Sequence, residues 1–107
     1  MRKLVNLLVR KDGLSHAAFR DYWLNEHAPM ADALPGVVKY TTSLPADPEK
    51  SPYDGIAELY LAEDADVASV FDSEPGRALQ ADTANFLDDE AGELLIVDRT
   101  VQFDESA

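Results

Sequence analysis

A chain of 107 residues, 46% of them hydrophobic, has room for one core and no second domain, and no stretch approaches the about eighteen unbroken apolar residues of a membrane-crossing helix. It contains no cysteine, which excludes disulfides, thiolate zinc sites and cysteine nucleophiles and makes the cytoplasm the expected location. The net charge of −12 is concentrated beyond residue 45, where three Lys/Arg face seventeen Asp/Glu; that field repels phosphates and anionic lipid, so neither nucleic acid nor membrane is an expected partner.

Leu4 to Val9 is apolar apart from Asn6 and closes on Arg10, Lys11, Asp12 and Gly13 without a small-residue cleavage site. It reads as a first strand, Lys3 to Arg10, with Val5, Leu7 and Val9 on one face and Leu4, Asn6 and Leu8 on the other. Ser15 is placed to cap a helix on which Phe19, Tyr22, Trp23, His27, Met30, Ala31 and Leu34 recur at helical spacing, ending at Pro35 and Gly36. Pro29 removes a backbone donor inside that pattern and predicts a kink beside His27. Val37 to Leu44 alternates as a second strand, followed by a proline-bearing loop, Pro45 to Pro52, and a third strand, Asp54 to Leu61. A second helical region starts near Asp64 with Val67, Val70 and Phe71 inward, is interrupted at Pro75 and Gly76, and continues over Arg77 to Phe86. Glu93 to Phe103 is the expected last strand, and Asp104 to Ala107 a loose tail.

The order βαββαβ predicts one α+β domain over residues 1–107, a ferredoxin-like sandwich whose four-stranded antiparallel sheet carries both helical regions on one face. Its strands are apolar on both sides, so the uncovered face calls for a second subunit, and a homodimer is expected.

Phe19 to Tyr40, FRDYWLNEHAPMADALPGVVKY, resembles the EthD family in its aromatic pair, its histidine followed two residues later by proline, and its leucine-proline-glycine before a strand. Agreement continues through Asp54 to Leu59 and through SEPGRALQADTANFLD, Ser73 to Asp88. The resemblance implies a dimeric α+β barrel in which two sheets enclose a pocket for a small organic ligand. The family takes its name from a protein associated with breakdown of an ether fuel additive, and similar folds serve isomerases, polyketide-processing enzymes and small monooxygenases, so fold alone does not fix chemistry.

Among side chains, His27 is the candidate acid/base, because histidine changes charge near neutral pH and this one lies at the disturbed part of a helix. The competing assignment makes it a core residue bonded to carbonyls that Pro29 frees. Tyr22, Tyr40 and Tyr60 offer hydroxyls that can orient a ligand carbonyl, and Trp23, Phe71 and Phe86 can wall an aromatic pocket; each is equally a packing residue. Glu58, on the strand face of Ile56 and Tyr60, is a ligand anchor if that face looks into the barrel and a water-facing residue if it does not. Asp82 and Asp88 read as surface or capping groups.

His16 and His27 are not spaced as paired metal ligands, and no glycine-rich phosphate loop or GxSxG occurs, so neither metal nor cofactor is expected. Axial haem ligation by His27 lacks a supporting motif. Two functions fit: an enzyme that isomerises, dehydrates or oxidises a small oxygenated or aromatic compound without a cofactor, and a non-catalytic dimer that binds such a compound for an oxidative degradation pathway.

Overall fold

Leu4 and Leu8 on the first strand, β1 (Arg2–Leu8), are 0% and 3% exposed, whereas Val5 and Leu7 stay half-open. Successive strand residues point to opposite faces, so this pattern gives the sheet one sealed side. The computed structural model describes residues 1–106, in which β1 is followed by α1 (His16–Tyr22), β2 (Val37–Ser43), β3 (Gly55–Leu61), α2 (Val67–Asp72), α3 (Glu74–Asp82) and β4 (Glu93–Asp98). The strands pair antiparallel in the order β2-β3-β1-β4, with Leu4 opposite Leu59 and Ile96 and Asn6 opposite Ala57 and Leu94. Phe19 and Trp23 from the first helical region and Val70, Leu79 and Phe86 from the second pack on Leu4, Leu8, Ala57 and Leu59, so both helical regions lie on that face. This is the expected α+β, ferredoxin-like arrangement. Burial of each such aliphatic side chain stabilises the fold by about 1.5–3 kcal/mol.

The first helical region changes pitch where Pro29 demands it. After α1 the backbone widens over Trp23–His27, with the Ala28 N–H reaching the Trp23 carbonyl, and then tightens into a 3₁₀ segment, Ala28–Ala33. A proline ring clashes with the carbonyl four residues earlier, and a wide turn relieves that clash without breaking the helix. Phe19, Trp23 and His27 remain on one buried stripe.

In the second helical region the break falls at Ser73, not at Pro75 and Gly76. Ser73 ends α2 and caps α3, its Oγ donating to the Val70 carbonyl at 2.6 Å and accepting from the Gly76 N–H at 3.1 Å. Pro75 occupies the first turn of α3, where a missing N–H costs nothing. Gly76 is required there because a Cβ would stand 2.2 Å from the Val70 carbonyl oxygen.

The last strand stops at Asp98 instead of continuing to Phe103. Its ladder with β1 runs from Glu93 to Asp98 and closes with the Arg99 N–H on the Met1 carbonyl at 2.9 Å. Phe103 is consequently 81% exposed, and residues 99–106 form neither helix nor strand. At the other end β1 closes at Leu8, short of Arg10, because the Arg10 N–H goes to the Asp54 carboxylate at 2.8 Å and Arg10 makes only an isolated bridge to Leu87.

The uncovered face of the sheet is divided. Lys3 pairs with Glu58, and the ammonium groups of Lys3 and Lys39 sit 5.2 and 5.0 Å from the Tyr60 ring centroid. Val5, Leu7, Ile56, Leu95 and Val97 make the other part apolar, with Ile56 36% and Leu95 42% exposed. Among the described residues no helix is long and apolar enough to cross a membrane.

Candidate active site

Between the helices and the sealed side of the sheet lies a cavity of about 510 Å³, a size typical of small-molecule pockets. Leu4, Leu59, Trp23, Leu79 and Phe86 form apolar walls; Asn6, His27, Tyr40, Gln80 and Thr83 are its polar members; Asp88, Asp89 and Glu93 stand at its exposed rim.

His27 is 6% exposed, and its ring packs on Phe86 with centroids 4.6 Å apart. Its Nδ1 lies 2.8 Å from Asp82 Oδ2. Asp82 Oδ1 accepts from the Tyr22 hydroxyl at 2.7 Å and from the Asn85 amide at 3.0 Å. Burial opposes ionisation of Asp82, but the bonds from Tyr22, His27 and Asn85 together outweigh it and hold its carboxyl below the usual carboxylate range. An ionised carboxylate can only accept, so Nδ1 carries the proton in that bond. Among the described residues Nδ1 makes the ring's one hydrogen bond, and no fully sealed polar atom is left unpaired; Nε2 therefore meets accessible space, and His27 lines the cavity. The Tyr22 hydroxyl is held protonated above its ordinary range, chiefly by its bond to Asp82.

Tyr40 supplies a second polar group. Its oxygen accepts from Trp23 Nε1 at 3.2 Å, which leaves the hydroxyl proton for another acceptor. Burial raises its pKa, so the group stays a donor at neutral pH. Trp23 is fixed from beneath: at Gly55 a Cβ would lie 2.4 Å from the indole Cζ3, so the strand can approach the ring only without a side chain.

Of the residues singled out from sequence, His27, Trp23, Tyr40, Phe71 and Phe86 converge on this cavity. Tyr22 is not on the cavity wall; it packs on Phe86 with ring centroids 5.3 Å apart and bonds Asp82. Glu58 and Tyr60 are not brought together with them; they lie on the opposite face of β3, where Tyr60 is bonded to Glu58 at 3.4 Å. The cavity is thus on the helix side of the sheet. Asp82, expected at the surface, is instead the partner of His27, with only 16% of its side chain exposed. The signal was present: Asp82 is three residues after Leu79 and four before Phe86, on the buried stripe of its helix. The other histidine, His16, sits 3.3 Å from Asp54 beside Arg10 and ties α1 to the start of β3, away from the cavity.

The family model described as the EthD domain matches residues 11–90. The chain belongs to the EthD family. Among solved structures, this EthD protein is similar to an ethyl tert-butyl ether D family protein from Bacillus halodurans, with TM-score 0.78 and 22% identity over 94% of this chain and 99% of that one. A DABB family protein with a ferredoxin-like fold from Mesorhizobium loti superposes with TM-score 0.72 and 15% identity, covering 94% and 97%. A dimeric ferredoxin-like protein of unknown function from Thermobifida fusca gives TM-score 0.69 and 16% identity, covering 90% and 88%. At these identities the likeness carries fold and not chemistry. No curated protein matches the chain.

Proposed function

We propose that this EthD protein binds a small oxygenated or aromatic organic compound in the helix-side cavity and moves a proton on it with His27 as acid/base. The observation that carries the proposal is the clamp on His27: its Nδ1 is held by Asp82 while the ring lines the cavity, and this reading assigns Nε2 as the base. For a ligand with a carbonyl, Nε2 takes the proton from the adjacent carbon, the C–H electrons move toward the oxygen, and the Tyr40 hydroxyl donates to that oxygen. Return of the proton to a different carbon completes an isomerisation; loss of a β-hydroxyl as water completes a dehydration. The imidazolium formed in between is stabilised by Asp82.

The working unit of this proposal is a cytoplasmic homodimer. Its support is the apolar part of the open sheet face, including Ile56 and Leu95, together with the dimeric state of the Thermobifida neighbour. The carrier reading, a dimer that binds such a compound without transforming it, is the alternative. Deuterium exchange into a panel of small ketones, lactones and phenols in D₂O separates the two. We expect exchange with the wild type and none with His27→Ala, which still binds the same compounds. Binding without exchange by the wild type would make the protein a carrier, and equal exchange by His27→Ala would remove His27 from the chemistry.

A further inference from the structure

We infer that the cavity selects an uncharged compound and that Asn6 reads its carbonyl or hydroxyl oxygen, an inference that rests on the proposed ligand cavity. Asn6 occupies the middle of β1, with sealed Leu4 and Leu8 on the same face and Ala57 and Leu94 opposite it on the neighbouring strands. An apolar side chain would suit that environment better than an amide. Among the described residues none bonds the Asn6 amide, yet no fully sealed polar atom is left unpaired, so the amide opens to the cavity it lines. A half-buried amide on an apolar wall, with no partner from the protein, is a group whose hydrogen bonds are supplied from outside.

Charge narrows the class. Among the described residues the carboxylates Asp88, Asp89 and Glu93 stand around the cavity, and no Lys or Arg lines it. The cation near the end of β1, Arg10, is tied to Asp54 and to the Leu14 carbonyl. An anionic ligand would pass the acidic rim and, among the described residues, meet no lysine or arginine within. An ammonium would lose its hydration against apolar walls, because Asp82 is already filled by three donors. A neutral molecule with one oxygen for Asn6 and an apolar body meets neither cost.

The test titrates acetophenone, ethylbenzene and benzoate into wild type, Asn6→Leu and Asn6→Val, following amide shifts of cavity-lining residues and the thermal midpoint. Wild type should bind acetophenone at least tenfold more tightly than benzoate. Both variants should lose about five- to fiftyfold in acetophenone affinity, keep or gain ethylbenzene affinity, and melt no lower than wild type, since the amide has no partner in the protein to lose. Asn6→Val is shorter and branched at Cβ while Asn6→Leu keeps the length of the amide, so agreement between them separates lost hydrogen bonding from a clash peculiar to one side-chain shape. Benzoate binding as tightly as acetophenone overturns the charge argument. A marked fall in the melting point of both variants, or equal loss of both neutral probes, makes Asn6 a structural residue. Failure of all three probes to shift cavity residues removes the ligand cavity, and with it the proposed function.

Discussion

Replacing Asp82 by alanine isolates the interaction on which the site depends. The carboxylate holds three donors, but they do not lose equally. Asn85 is exposed and can turn to water, and Tyr22 keeps the Asn85 amide 3.2 Å from its hydroxyl. His27 has no such recourse, with 8% of its side chain exposed and Asp82 as its one partner at 2.8 Å. A hydrogen bond to a charged group contributes about 1.5–3 kcal/mol, and for a chain of this size each kcal/mol moves the midpoint by about 4–8 °C. Asp82→Ala should therefore cost roughly 2 kcal/mol, with a midpoint lower by about 10 °C, measured by urea and thermal unfolding. Coupling is the sharper measurement: Asp82→Ala with His27→Ala should cost about 1–2 kcal/mol less than the two singles combined. Additivity within about 0.3 kcal/mol would refute the pairing.

The depressed pKa of Asp82 fixes the sign of one pH dependence. Its stabilising share is present above the unfolded carboxyl value of about 3.9 and is lost as pH falls through the lower folded value. Acid unfolding of Asp82→Asn should lack that component, and identical acid limbs for the two proteins would argue against it. Gly55→Ala drives a Cβ to 2.4 Å from Trp23, a ring with no exposed surface, and should cost about 1–3 kcal/mol in urea unfolding; wild-type stability would mean the indole is not locked. Leu95→Glu sets a carboxylate on the open sheet face and should give a monomer by sedimentation at concentrations where wild type is dimeric. An unchanged mass would move the subunit contact elsewhere.

The sheet was legible because period-two alternation survives in all four strands, and the irregular backbone beside His27 was legible because Pro29 lies two residues away. The face of the cavity was not. β1 and β3 carry apolar residues on both sides, so alternation correctly grouped Glu58 with Ile56 and Tyr60 without saying which side the helices would cover. Glu58 and Tyr60 then fell outside the cavity although their strand assignment was sound. The overlong last strand has a related cause: Val101 and Phe103 continue the alternation of Leu95 and Val97, but alternation does not show where pairing ends, and the observed ladder with β1 runs only from Glu93 to Asp98. Asp82 was passed over because fifty-five residues separate it from His27. An acid in a strongly acidic half of the chain looks like solvent-facing charge unless its place between Leu79 and Phe86 is weighed.

The parts of the site that sequence reasoning missed share a structural origin, since each depends on an irregularity in a helix. The wide turn over Trp23–His27 keeps His27 on the stripe of Phe19 and Trp23 while the chain passes Pro29. The break at Ser73 starts α3 afresh, with Gly76 against the Val70 carbonyl, and so sets the line along which Asp82 arrives at Nδ1. The 3₁₀ turn Thr83–Asn85 then brings the Asn85 amide back to Asp82 and delivers Phe86 beneath the imidazole. Regular helices would satisfy the apolar pattern equally well, so that pattern specifies the core without specifying the dyad. It is Pro29, Ser73 and the turn after Asp82, residues that interrupt helical geometry, that convert two packing helices into a histidine clamped on one nitrogen and open on the other.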